Sequence, residues 1–134
     1  MYKKIKIKSD VVNLRVVENA IDEITNEIGI TQDNYGKILV SILEAVNNAI
    51  LHGNNSDPEK FVYIKIGFRS NALKIKVTDE GLGFSPDEVP DPTTFGNVEE
   101  LNGRGVFLMS RLADKIIFSK KGNCVTMIFK NIIS

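Results

Sequence analysis

A carboxylate and an amide stand one helical turn apart in the segment Ile42-Leu43-Glu44-Ala45-Val46-Asn47-Asn48-Ala49-Ile50-Leu51-His52-Gly53. Their spacing of four places Glu44 and Asn48 on one helix face, away from the apolar stripe that carries Ile42, Val46, Ala49 and Ile50. An amide carbonyl suits Mg²⁺, a hard ion that takes oxygen ligands and keeps several waters. A carboxylate one turn away can take a proton from an attacking hydroxyl or water. A solvated glutamate beside surface amides has the same pattern. Val40 and Leu51 interrupt the polar face, which predicts a helix covered on both sides.

Two glycine-bearing segments follow, Asp79-Glu80-Gly81-Leu82-Gly83 and Asn102-Gly103-Arg104-Gly105. Asp79 continues the strand parity of Leu73, Ile75 and Val77, so it points to the face that meets the helices. A carboxylate there needs a donor. The exocyclic amine of adenine is one, and a plain Asp-Glu-Gly turn is the alternative. Gly81 and Gly83 permit close approach of backbone to a flat base or a positive φ. Gly103 and Gly105 precede an expected short helix, whose free N–H groups favour phosphate, with Arg104 adding charge. Taken singly, each segment also reads as a turn. In this order they describe a nucleotide site without the Gly-x-x-x-x-Gly-Lys-Ser/Thr pattern of a P-loop.

The elements that position these residues are legible from periodicity. Lysine and isoleucine alternate from Lys4 to Lys8, a short strand with one wet face. Leu14, Val17, Ile21, Ile24 and Ile28 recur at helical spacing, closed by Gly29 at the C-cap. Thr31 caps a second helix with the stripe Tyr35, Ile38, Leu39, Ile42, Val46, Ala49 and Ile50. Val62 to Phe68 and Leu73 to Val77 read as an antiparallel hairpin joined through Arg69-Ser70-Asn71. The Pro-, Asp- and Gly-containing stretch from about residue 82 to 102 is long for a connection, and segments of this kind are usually functional or disordered. Two last strands, about 115–119 and 124–130, flank Lys121-Gly122-Asn123. The order predicts an α+β fold in one domain over 1–134, with helices packed on one face of a mixed, mostly antiparallel sheet.

Composition narrows the function classes. Lys+Arg and Asp+Glu both number 17, so no net charge draws the chain generally to nucleic acid or membrane, and only local patches can do so. The expectation is no direct nucleic-acid or membrane partner. A single cysteine, Cys124, and a single histidine, His52, leave no disulfide framework, zinc site or Cys-His pair. The basic start lacks a following apolar run, so no signal peptide is predicted and a cytoplasmic protein is expected.

Glu44 to Gly53 resembles the N box of the GHKL ATPases. Asp79 to Phe84 resembles their first glycine box, and Gly103 to Met109 their second. Over nearly its whole length the chain is most similar to the small bacterial anti-sigma factor serine/threonine kinases, the SpoIIAB/RsbW-like branch. The resemblance implies a Bergerat-type two-layer α/β sandwich that binds ATP or ADP with Mg²⁺. It implies Asp79 on the adenine amine, with Thr126 helping through water. It places Asn48 on Mg²⁺, Gly103, Arg104 and Gly105 at the phosphates under a lid, and Glu44 as general base toward a partner's hydroxyl. The implied partners are a STAS-domain anti-anti-sigma protein and a sigma factor, contacted at Arg15, with a homodimer also possible. The lid stretch Pro90 to Glu100 only loosely matches the family. A non-catalytic nucleotide switch is the competing reading.

Overall fold

A computed structural model of the chain describes residues 1–81 and 111–134. The expected lid stretch, the helix beginning near Gly105, and Gly83, Gly103, Arg104 and Gly105 lie outside the described residues. Strand β1 (Tyr2–Lys8) leads through a 3-10 turn, Val11–Asn13, into helix α1 (Leu14–Ile28). Helix α2 (Gln32–Asn48) follows and continues directly into a π-helical turn, Ala49–Gly53. Strands β2 (Phe61–Arg69), β3 (Ala72–Thr78), β4 (Lys115–Phe118) and β5 (Cys124–Lys130) complete the sheet. Its strand order is β1-β2-β3-β5-β4. Each of these pairings is antiparallel, so among the described residues the sheet is wholly antiparallel rather than mixed.

Local chemistry explains the boundaries. Gly29 takes φ 77, the left-handed conformation that ends α1, and its N–H reaches the Thr25 carbonyl. Thr31 Oγ1 accepts from the Asn34 N–H at the start of α2. Ser70 and Asn71 both have positive φ, 53 and 56, as a two-residue hairpin between right-twisted strands requires. Asn71 is also held from outside the turn, since its Oδ1 accepts from the backbone N–H of Ile132 and Ile133.

The strands divide cleanly into two faces. Val62, Ile64, Ile66, Leu73, Ile75, Val77, Val125, Met127 and Phe129 are buried. They meet Val17, Ile21 and Ile24 of α1 and Ile38, Ile42, Val46 and Ile50 around α2 in one apolar cluster. The molecule is therefore a two-layer α+β sandwich with α1 and α2 on one sheet face. Val40 does not follow the expected covering of α2 on both sides, being 43% exposed. Among the described residues no helix is long and apolar enough to cross a membrane.

Candidate nucleotide site

The site is built where α2 ends against the end of β3. The π-helical turn carries Asn54 past the helix end, and the Asn54 N–H reaches back to the Ala49 carbonyl at 2.8 Å. A π turn holds one more residue than an α turn, and such bulges recur at functional positions. Here it delivers Asn54, fully buried, into the junction of three strands. Its Nδ2 donates to Ser9 Oγ at 2.8 Å and to the Phe61 carbonyl at 2.9 Å. Its Oδ1 accepts from the Glu80 N–H at 2.8 Å. One amide thus ties the end of α2 to β1, to β2 and to the turn after β3. Its neighbours Asn55 and Ser56 take turn-like positive φ.

Asp79 sits directly against this junction. Its Oδ1 accepts from the Gly81 N–H at 2.8 Å. Its backbone exchanges hydrogen bonds with Asn123: the Asp79 N–H donates to the Asn123 carbonyl at 2.9 Å, and Asn123 Nδ2 donates to the Asp79 carbonyl at 3.0 Å. Burial raises the Asp79 carboxyl above its ordinary 3.8, against the lowering pull of the Gly81 N–H and of Lys121 and Lys60. A carboxylate that is partly desolvated and has one backbone donor keeps acceptor capacity for a further hydrogen bond.

Two glycines make the approach possible. A Cβ on Gly53 would stand 2.3 Å from Asp79 Cγ, and a Cβ on Gly81 would stand 1.9 Å from the Gly53 carbonyl oxygen. Both contacts are impossible, so the carboxylate lies against bare backbone because neither position carries a side chain. Gly81→Ala is expected to force the helix end and the turn apart and to destabilise the fold by about 1–3 kcal/mol. A fall in thermal midpoint checks it, and an unchanged midpoint would contradict the packing described.

Glu44 and Asn48 lie on α2, both half-buried, and among the described residues neither side chain has a hydrogen-bond partner. Asn48 ends α2 immediately before the π turn, and Glu44 lies about 6 Å further back along the helix axis. The helix that touches Asp79 at its end therefore carries the amide and the carboxylate successively further back. An oxygen-bearing amide with no partner among the described residues fits an ion bound mainly through waters and phosphates. Among the described residues no cluster of three or more His, Cys, Asp or Glu could hold a metal by itself.

Thr126 is not near Asp79. It pairs with Lys76 on β3 and Ile117 on β4, which puts it on the sheet face away from the helices. Asp79 shares the face of Val77 and Val125. The residue of β5 parity that stands beside it is Asn123, two positions before Val125. Asn123 directly follows the turn residues Lys121 and Gly122, and the β3–β5 register is what brings it beside Asp79. Arg15 is exposed on the first turn of α1, and its sequence neighbours Val11, Val12 and Val16 are exposed as well, Val12 at 63%.

The family model for the histidine kinase-like ATPase domain matches residues 7–129. The chain belongs to that family. Within it the chain groups with the anti-sigma factors. It is 31% identical over 101 residues to an anti-sigma F factor of Geobacillus sp. (strain WCH70), covering 74% of this chain and 69% of that protein. It is 34% identical over 88 residues to an anti-sigma F factor of Bacillus cytotoxicus, covering 64% of this chain and 60% of that one. The crystal structure of the RsbU and RsbW domains of a Mycobacterium tuberculosis protein superposes with a TM-score of 0.68 at 15% identity. That match covers 97% of this chain but 32% of the other, so the chain spans about a third of that protein's length and the likeness is one of fold. Membership of the ATPase family makes this a nucleotide-binding domain, and the junction of α2 and β3 is where its geometry offers a site.

Proposed function

We propose that this protein is an ATP-dependent anti-sigma factor serine/threonine kinase. In this reading it phosphorylates a STAS-type anti-anti-sigma protein and sequesters a sigma factor. The observation that carries the nucleotide part is Asp79, a partly desolvated carboxylate set against Gly53 just past the end of the helix that bears Asn48 and Glu44. Asp79 accepts a hydrogen bond from the adenine amine. Asn48 would hold Mg²⁺ through its side-chain oxygen, and the bound ion would neutralise phosphate charge. Glu44, further back on α2, accepts the proton of the partner's serine or threonine hydroxyl and aims its oxygen at the terminal phosphate. Gly103, Arg104 and Gly105 complete the phosphate contacts in this reading.

Partner binding is supported by the surface around Arg15. Exposed valines flanking one arginine give an apolar contact with a charged anchor, the combination enriched in protein interfaces. The names of the relatives at about one-third identity point the same way.

The test is transfer itself. Purified protein with Mg-ATP should move the terminal phosphate to a serine or threonine of a cognate STAS protein, read by mass spectrometry of the partner. Nucleotide binding with no transfer to any STAS partner would overturn the kinase reading in favour of a non-catalytic switch that uses nucleotide only to set its affinity for a partner.

A further inference from the structure

The balanced net charge conceals a strong separation of charge. No aspartate or glutamate occurs in any of the five strands. On the sheet face away from the helices, Lys4, Lys65 and Lys76 stand directly opposite one another across β1, β2 and β3. All three are exposed. Like charges directly opposite on neighbouring strands destabilise a sheet, and among the described residues none of the three has an ion-pair partner. By contrast Lys3, on the helix side of β1, is paired with Glu23 of α1 at 2.6 Å.

Beside the lysine row lies an aromatic one. Tyr63 and Phe61 of β2 have ring centroids 6.5 Å apart, and Lys6 holds its ammonium 4.1 Å from the Phe61 centroid. Tyr2, at the end of β1, is 62% exposed. We infer that this outer sheet face binds single-stranded nucleic acid, with phosphates on the lysine row and bases against Tyr63 and Tyr2. An open antiparallel sheet that presents aromatic rings between cations serves this purpose because every base has a stackable face and every linkage a charge.

The charge pattern separates this occupant from the others. A second copy presenting the same face would set lysine against lysine. Protein interfaces are depleted in lysine and favour arginine, whereas a row of ammonium groups suits phosphates as point charges. The surface lies on the side of the sheet opposite the nucleotide site, so both can be occupied together.

Fluorescence anisotropy of a labelled oligothymidylate of about 20 nucleotides, titrated with the full chain, tests the proposal. Three phosphate contacts on a single strand predict affinity falling roughly ten- to twentyfold between about 50 mM and about 200 mM salt. Lys65→Gln with Lys76→Gln should weaken binding at least fivefold at low salt and flatten the salt dependence. The same variant should keep or raise its thermal midpoint, because it removes like-charge repulsion. Tyr63→Ala should weaken binding while leaving the salt dependence unchanged. Binding that is absent at low salt, or indifferent to the lysine pair in a folded variant, overturns the proposal. So does capture by phosphatidylserine vesicles or polyglutamate with no binding of the oligonucleotide.

Discussion

Asp79→Asn is expected to weaken adenine-nucleotide binding roughly ten- to hundredfold, the loss of one hydrogen bond to a charged acceptor. The substitution keeps shape. Asparagine can still accept from the Gly81 N–H through its side-chain oxygen. What it loses is the second acceptor, which becomes an NH₂ group that faces the amine of adenine donor to donor. The nucleotide-free protein should behave in the opposite way. Burial raises the Asp79 carboxyl above 3.8, so the folded chain holds that proton more tightly than the unfolded chain. Folding stability therefore falls as pH rises from the ordinary carboxylate range through the raised value, and the penalty is fully present at neutral pH. Asparagine carries no such penalty. The variant should melt at or above the wild-type temperature at neutral pH, with the difference narrowing toward pH of about 4 as the wild-type carboxyl protonates. Calorimetric titration with ADP and thermal melts across pH read both arms. Unimpaired ADP binding would remove Asp79 from the adenine position. Weakened binding with a lower midpoint at neutral pH would mean that the residue acts through packing.

The parts of this site that periodicity reveals are those set by burial. The stripe from Leu14 to Ile28 and its stop at Gly29, the cap at Thr31, and the tight connection at Arg69-Ser70-Asn71 all follow from local rules, because each residue's preference agrees with its tertiary surroundings. Asp79 could be placed on the helix-facing side by counting in twos from Val77. The junction it faces could not be read in that way. An apolar stripe at helical spacing runs unbroken through Ala49 and Ile50, so nothing local announces that the chain adopts a π turn there and delivers Asn54 to the core. Gly53 reads as a helix stop, yet its missing side chain leaves room for a carboxylate from a strand distant in sequence. Asn123 reads as a turn residue until the pairing of β3 with β5 sets it beside Asp79. Thr126 shows the converse. Its parity, opposite to Val125, Met127 and Phe129, puts it on the outer face, and a family position gave no warning of that.

The outer face illustrates a limit of composition. Equal numbers of acidic and basic residues describe the chain, but the sheet sorts them by face. Alternation of Ile with Lys reads as an ordinary wet strand in one dimension. Only the register shows that Lys4, Lys65 and Lys76 form a row, and only a row has a repulsion that a bound anion would relieve. Charge in this molecule is a property of surfaces rather than of the total, which is why a neutral chain presents a cationic face.

Glu44→Gln should lower phosphoryl transfer to a STAS partner by roughly 10²- to 10⁴-fold, the range that a positioned general base supplies. ADP affinity should stay within about twofold, since Glu44 lies back along α2, with the rest of that helix and the whole π turn between it and the Gly53 end where the base would sit. Glutamine preserves length and polarity and removes only the ability to take a proton. Glu44 is half-buried and has no hydrogen-bond partner among the described residues, so its replacement should move stability by no more than about 0.5 kcal/mol. That small cost makes the experiment decisive. A large fall in midpoint would mark Glu44 as a structural residue. Transfer that persists at the wild-type rate would show that the proton leaves by another route, with positioning and charge neutralisation carrying the reaction. Binding of a partner that is nucleotide-dependent, intact in the variant, and unaccompanied by transfer even in the wild type would assign the same residues to a switch. The carboxylate and the amide one turn apart then separate: Asn48 is needed by any Mg-nucleotide reading, while Glu44 alone distinguishes a kinase from a nucleotide-gated binding module.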